Sequence, residues 1–222
     1  MPQKTEEVNV QDLMFELNVA ELQLDFVLRP HTAIYKSLKY IKEKSCVLDV
    51  GCAWGYLAKL LKPKQCNVVG IEMDSKVAKI AENYCNQVIV ANLEDIETLQ
   101  LLLKNLSFDV IVCLDILEHL VRPDKFLVFL RKFLTPSGRL IVSIPNVARF
   151  EHRINLFFGK FNYENAGILC KGHLRFFTES TAKNLLSGTG YKIIKTEYTG
   201  LASMIKIFPK LTAYQFLFVA TL

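Results

Sequence analysis

The sequence predicts an α/β protein: a doubly wound, mostly parallel seven-stranded sheet with an antiparallel last strand and N-terminal helices. Two observations carry this. Fully apolar runs of four to seven residues alternate with stretches of helical periodicity, the pattern of βαβ units whose sheet is covered on both faces. The last two apolar runs are joined without a clear crossover helix, so they pair antiparallel.

The elements follow in order. Residues 10–44 place Leu13, Leu17, Ala20, Leu24, Val27 and Leu28 at helical spacing, break at Pro30, and resume with Ile34, Leu38 and Ile41. Strands are expected at 46–50, 68–71, 88–91, 108–114 and 139–144, with helices at 55–61, 75–84, 94–104 and 123–134 between them. After Pro145 the rhythm breaks into an aromatic, irregular stretch, 146–177, with one short helix at 150–158. A helix at 179–187 and strands at 191–199 and 213–221 complete the pattern. No repeat, low-complexity tract or long linker divides the chain, so its 222 residues are expected to form one domain.

Composition narrows the function classes. Hydrophobic residues make up 51% and charged residues 22%, which excludes a disordered or collagen-like chain. The net charge of +5 permits an anionic partner without demanding one, since only Lys36, Lys39, Lys42 and Lys44 cluster. Nucleic acid is not expected as a partner, because no tract combines aromatic and basic residues. None of the six cysteines forms a C-x-x-C pair, and Cys46, Cys52 and Cys113 read as small buried hydrophobes. No signal segment and no apolar run long enough for a membrane span is found, so a cytoplasmic protein with reduced thiols is expected. The oligomeric state is not legible.

In an open α/β sheet a ligand sits at the carboxyl ends of the strands, near the switch in strand order. The first such turn is Asp49-Val-Gly51-Cys52-Ala53-Trp54-Gly55, where glycine lets the backbone approach a ligand closely. Ala53 and Tyr56 break the dinucleotide fingerprint, and no P-loop, serine-hydrolase elbow or zinc-protease helix is present. The second strand ends in Glu72, 21 residues after Gly51, where a carboxylate can accept from both hydroxyls of a ribose. Asp74 and Ser75 are better placed to cap the following helix.

These residues, with Asn92-Leu93-Glu94-Asp95 and Cys113-Leu114-Asp115-Ile116-Leu117-Glu118-His119 after the third and fourth strands, resemble the class I S-adenosylmethionine-dependent methyltransferases over residues 45–199. The resemblance implies a Rossmann-like methyltransferase fold. Residues 1–44 then form an N-terminal helical segment, and 146–177 an insertion on the acceptor side. It implies S-adenosylmethionine as cofactor, with Gly51 and Gly55 turning against its methionine part and Asp49 ordering that turn. Glu72 would hold the ribose, Asn92 the adenine amino group and the Leu93 backbone the ring, with Cys52 and Leu114 beside them. Ala53 stands where the family usually has glycine, which is tolerable at negative φ. Asn92 replaces a common aspartate and still offers a carbonyl oxygen.

Methyl transfer to a hydroxyl needs alignment and a group to take or mask the proton. Asp115, Glu118 and His119, at i, i+3 and i+4, would share one side of a helical turn. They can hold a divalent metal, or His119 can act alone as a base. The segment also resembles the Glu-x-x-Glu-His of ubiquinone-pathway O-methyltransferases and of metal-dependent small-RNA 2′-O-methyltransferases. In the RNA group a downstream histidine completes the site, and His173 stands where it would. His119 and His173 are therefore the catalytic candidates; no metal ligand is assigned.

The stretch from Ile144 to Thr178 is similar to bacterial-type methyltransferases of small molecules. Phe150, Phe157, Phe158, Phe161, Tyr163, Phe176 and Phe177 divide between core, as the spacing of Ile154, Phe157 and Phe158 suggests, and acceptor-pocket wall. Arg149, Arg153 and Arg175 can meet an anionic acceptor or remain solvated. Trp54 can face a sulfonium or form a pocket wall. The Leu201–Leu211 loop, with Met204, Ile205, Ile207 and Phe208, reads as a lid or partner surface. The expected activity is methyl transfer to a small-molecule hydroxyl. An RNA-end 2′-O-methyltransferase and a non-catalytic cofactor-binding protein are the alternatives.

Overall fold

The computed structural model describes residues 29–200 and 208–222. The expected helical pattern over 10–28, and Met204, Ile205 and Ile207 of the expected lid, lie outside the described residues.

A short helix α1 (Ala33–Ser37) leads into β1 (Cys46–Val50), α2 (Tyr56–Leu61), β2 (Asn67–Glu72), α3 (Ser75–Ala81), β3 (Gln87–Val90) and α4 (Ile96–Leu102). There follow β4 (Phe108–Leu114), α5 (Pro123–Leu130), β5 (Leu134–Pro145), α6 (Phe150–Phe157), α7 (Glu179–Gly188), β6 (Lys192–Tyr198), α8 (Pro209–Thr212) and β7 (Gln215–Thr221). The strands form one sheet in the order β3-β2-β1-β4-β5-β7-β6. β1 to β5 are parallel, and β7 runs antiparallel to both β5 and β6. The order reverses between β1 and β4, which places the ligand crevice at their carboxyl ends.

Period-two alternation builds two cores from the same strands. Leu48, Ile111 and Phe218 face one layer, whereas Val47, Val112 and Val219 face the other. Helices cover both layers, which is why the strands read as unbroken apolar runs. Each fully buried Leu, Ile or Phe side chain contributes roughly 1.5–3 kcal/mol. Local signals set the helix starts. Asp74 Oδ1 accepts from the Lys76 and Val77 amides at the head of α3, and Asp95 Oδ1 from Thr98 at the head of α4. Thr178 and Thr181 form a reciprocal cap on α7. β5 starts earlier than its apolar run because Leu134 already pairs with Phe108. The register then shifts before Arg139, across Pro136-Ser137-Gly138.

The 146–177 segment returns to where it left. Buried Asn146 bridges to Phe177 and donates from its side-chain amide to the carbonyls of Lys210 and Ala213. Between these ends α6 contains no buried residue, so the helical spacing of Ile154, Phe157 and Phe158 does not mark a core face. Phe177 alone among the seven aromatic residues of this stretch is buried. No helix of the described residues is long and apolar enough to cross a membrane.

Candidate active site

The turn after β1 is pinned to β2 by the Gly51 and Cys52 amides, both of which donate to the Ile71 carbonyl (2.8 and 2.9 Å). Gly51 (φ +70°) and Gly55 (φ +78°) adopt the left-handed conformation that glycine tolerates best. Ala53 adopts it too, at φ +46°, which corrects the expectation that its methyl would be accommodated at negative φ. The left-handed region costs an L-residue roughly 1–2 kcal/mol, and glycine gives back part of that gain through unfolded-chain entropy. Ala53→Gly is therefore expected to raise Tm by about 1–3 °C in calorimetry. A lowered Tm would show that the methyl is held by packing.

Glu72 turns toward this bend. Its Oε2 accepts from the Ala53 amide (3.1 Å), and Oε1 from those of Met73 and Asp74 (2.8 and 3.0 Å). Asp49 is buried in β1, its carboxyl raised to about 7 by burial and by the nearby Glu72 charge. It has no hydrogen-bond donor among the described residues, so no bond from it orders the turn. The Cys52 thiol points away into the core, against Gly70 and Cys85. Asn92 is exposed, its carbonyl oxygen accepting from the Glu94 amide (3.0 Å), and Leu93 packs on the core edge. Trp54 stands edge-on to Tyr56 at 5.7 Å, its indole N–H buried and without a hydrogen-bond partner among the described residues.

Beyond the turn opens a cavity of about 770 Å³, lined in part by Tyr56, Leu114, Asp115, Glu118, Arg149 and His173. Its aromatic lining among the described residues is Tyr56 and Tyr214; none of the seven aromatic residues of the 146–177 stretch contributes, contrary to expectation. Arg149 packs over the Tyr214 ring at 5.5 Å and pairs with Glu151. Tyr214 and Gln215 were not singled out from the sequence. They lie at the start of β7, and because that strand is antiparallel its beginning lies at the carboxyl edge of β5.

Asp115, Glu118 and His119 do not share a helical face. Asp115 takes a left-handed φ of +56°, and residues Leu117–His119 form a single 3₁₀ turn. Asp115 turns instead to Ser143 and Gln215, accepting from Ser143 Oγ at 2.8 Å and from the Gln215 amide at 2.6 and 2.7 Å. Burial raises its carboxyl above the usual range despite those donors.

Glu118, His119 and His173 do meet, their donor atoms within 4.8 Å of one another. The two imidazoles stand edge-to-face at 4.7 Å. Each Nδ1 lies against a backbone carbonyl, Gly172 for His119 (3.0 Å) and Ile168 for His173 (2.9 Å). A carbonyl only accepts, so each Nδ1 carries a proton, and the neutral tautomer this selects has its lone pair on Nε2. The Glu118 carbonyl accepts from the Leu174 and Arg175 amides, which clamps the two segments together. Burial lowers the His173 pKa. Glu118 is 1% exposed, neither of its carboxyl oxygens has a hydrogen-bond partner among the described residues, and the carboxyl is pushed up to about 9 by burial, then by Asp115.

A parallel sheet with reversed order, a glycine bend facing a strand-end carboxylate and an adjoining cavity match what the resemblance to S-adenosylmethionine-dependent methyltransferases implies. The model of the methyltransferase-domain family Methyltransf_23 matches residues 27–196, and the chain belongs to that family. It is 28% identical to a ubiquinone biosynthesis O-methyltransferase of Coxiella burnetii over 178 residues, 72% of this chain and 76% of that protein. A protein of the same name from Rickettsia canadensis is 24% identical over 174 residues, 78% of this chain and 71% of that one. The fold is shared with a SAM-dependent methyltransferase from Archaeoglobus fulgidus (TM-score 0.65, 18% identity, 91% and 94% of the two chains). It is shared too with the magnesium protoporphyrin IX methyltransferase of Synechocystis with bound SAH (TM-score 0.60, 18% identity, 97% and 88%).

Proposed function

We propose that the chain methylates a hydroxyl oxygen of a small molecule held in the cavity, with His119 and His173 handling the acceptor's proton. S-Adenosylmethionine supplies the methyl group and a good leaving group, so the protein must chiefly align the acceptor and relieve it of a proton. The carrying observation is the histidine pair: both rings are held through Nδ1, which leaves each Nε2 as an acceptor; His173 lines the cavity, and the exposed His119 ring stands edge-to-face against it. The O-methyltransferase names of the relatives point the same way. Glu72, Gly51, Gly55, Asn92 and Leu93 form the cofactor side of the site in this reading, and Leu114 lies between the two halves.

A divalent cation is a second reading that one observation favours. The paired oxygens of Glu118 are buried without a partner among the described residues, next to two imidazole nitrogens, a donor set suited to a borderline cation. Glu118, His119 and His173 would hold it, and it would lower the pKa of an acceptor hydroxyl.

Methyl transfer from labelled S-adenosylmethionine to catechol and 3,4-dihydroxybenzoate as probes tests both. His119→Ala and His173→Ala are expected to slow transfer by about 10²–10⁴-fold, with S-adenosylhomocysteine affinity unchanged. Full activity in both variants removes the histidines from the chemistry. Activity that a chelator abolishes and added Mg²⁺ or Zn²⁺ restores selects the cation; indifference to chelator selects the histidines as bases.

A further inference from the structure

The cavity carries one permanent positive charge, because Arg149 is the only lysine or arginine among its described lining residues. A guanidinium offers five N–H donors and accepts nothing. Glu151 takes a bond from Nη2 alone. Nε is buried with no partner among the described residues, and Nη1 has none there either. The Tyr214 ring lies under the guanidinium, 5.5 Å from its central carbon, which supports the plane and leaves its edge open. The Tyr214 hydroxyl also lacks a hydrogen-bond partner among the described residues. A β-carbon at Gly167 would stand 3.3 Å from it, so the glycine keeps the space before that hydroxyl clear. Burial first, then Asp115, raises the Tyr214 pKa, which keeps the hydroxyl protonated and able to donate.

The acidic groups nearby leave these donors available. Glu151 and Glu164 are exposed, where water screens an ion pair. Asp115 is occupied by Ser143 and Gln215, and burial holds the Glu118 carboxyl protonated at neutral pH. An arginine edge beside a phenol hydroxyl matches a charged acceptor such as a carboxylate or phosphate. A neutral occupant would leave the guanidinium charge without a counterpart in a covered place. We propose that Arg149 and Tyr214 form an anion subsite of the cavity, so that the methyl acceptor is a hydroxyl compound bearing a carboxylate or phosphate. This rests on the methyl-transfer reading above and narrows its substrate class. His173 lines the same cavity, so one small molecule can present its hydroxyl to the histidine and its anion to the arginine.

Calorimetric binding of 3,4-dihydroxybenzoate, 3,4-dihydroxyphenylphosphonate and the uncharged 3,4-dihydroxybenzamide tests it, on the full chain with S-adenosylhomocysteine present. Methyl transfer to the same probes is followed in parallel. The wild type is expected to bind an anionic probe about 10- to 100-fold more tightly than the amide, and the tighter of the two anions names the group. Arg149→Met should bring that ratio to within about threefold of one. Glu151→Ala frees Nη2 at an exposed position and should raise the ratio about two- to fivefold, which a merely structural arginine would not do. S-Adenosylhomocysteine affinity reports that each variant is folded. A wild type that binds neither anion more tightly than the amide, absence of binding included, overturns the proposal. So does an unchanged ratio in Arg149→Met, or one not raised in Glu151→Ala. Anion binding that depends on Arg149, without methyl transfer to any probe, keeps the subsite and removes the hydroxyl-methylation reading, so the two fail separately.

Discussion

Replacing Glu72 with alanine is expected to weaken S-adenosylhomocysteine binding by about 100-fold or more in calorimetric titration, with little change in folding. The carboxylate ends β2 and gathers three backbone amides, one from the bend after β1 and two from its own loop. It thereby fixes the distance between the two strand ends that a nucleoside would bridge in the proposed cofactor site. Two lost hydrogen bonds from ribose hydroxyls to a charged acceptor account for about 3 kcal/mol or more, the size of a 100-fold change. A further loss comes from the bend itself, because Ala53 is held at positive φ and its amide would no longer be anchored. Glu72→Gln keeps the shape but presents an NH₂ group to the amides that now donate, and should fall between the two. Binding of the alanine variant within threefold of wild type would remove Glu72 from the cofactor site. Stability should change little, because the freed amides lie in partly exposed loops where water replaces the carboxylate.

The legible parts of the molecule are those fixed by burial and by local chemistry. Strand β4 is readable to the residue because both of its faces are covered and every residue of it but Asp109 is apolar. The Asp74 cap and the glycine bend are readable because each depends on neighbours only a few positions away. Left-handed backbone at Ala53 and Asp115 is not, because alanine and aspartate do not announce it and the surrounding strands impose it. That one dihedral at Asp115 removes the i, i+3, i+4 geometry that was expected to put Asp115, Glu118 and His119 on one side of a helical turn. The juxtaposition of His119 and His173 spans 54 positions and depends on the 146–177 segment folding back, so no local pattern specifies it; family resemblance alone suggested it. The outward stripe of α6 shows a different limit. Helical periodicity reports that one face differs from the other, but not whether that face meets protein.

Asp115→Leu is expected to destabilise the protein by about 3–5 kcal/mol, lowering Tm by roughly 10 °C. The carboxylate joins three strands at the carboxyl edge of the sheet: its own β4, β5 through Ser143 Oγ, and β7 through the Gln215 side-chain amide, which reaches both carboxylate oxygens. Ser143 is fully buried and also accepts from the Asp115 amide (3.0 Å), so the hydroxyl and the carboxylate depend on each other. Leucine leaves the Gln215 amide and the Ser143 hydroxyl without their acceptor in a water-poor place, at about 1–3 kcal/mol for each unsatisfied group. It also puts a branched side chain at φ +56°, where aspartate and asparagine are tolerated better. Asp115→Asn should therefore be mild, about 1 kcal/mol, since the asparagine carbonyl can still accept one of the donors. Replacing Asp115 and Gln215 together by leucine should recover part of the loss, because the pair then leaves no orphaned amide. Chemical denaturation of the wild type and the three variants gives the comparison directly. A leucine variant within about 1 kcal/mol of wild type would mean that water from the cavity satisfies these groups, and that Asp115 lines the cavity without helping to hold the three strands together.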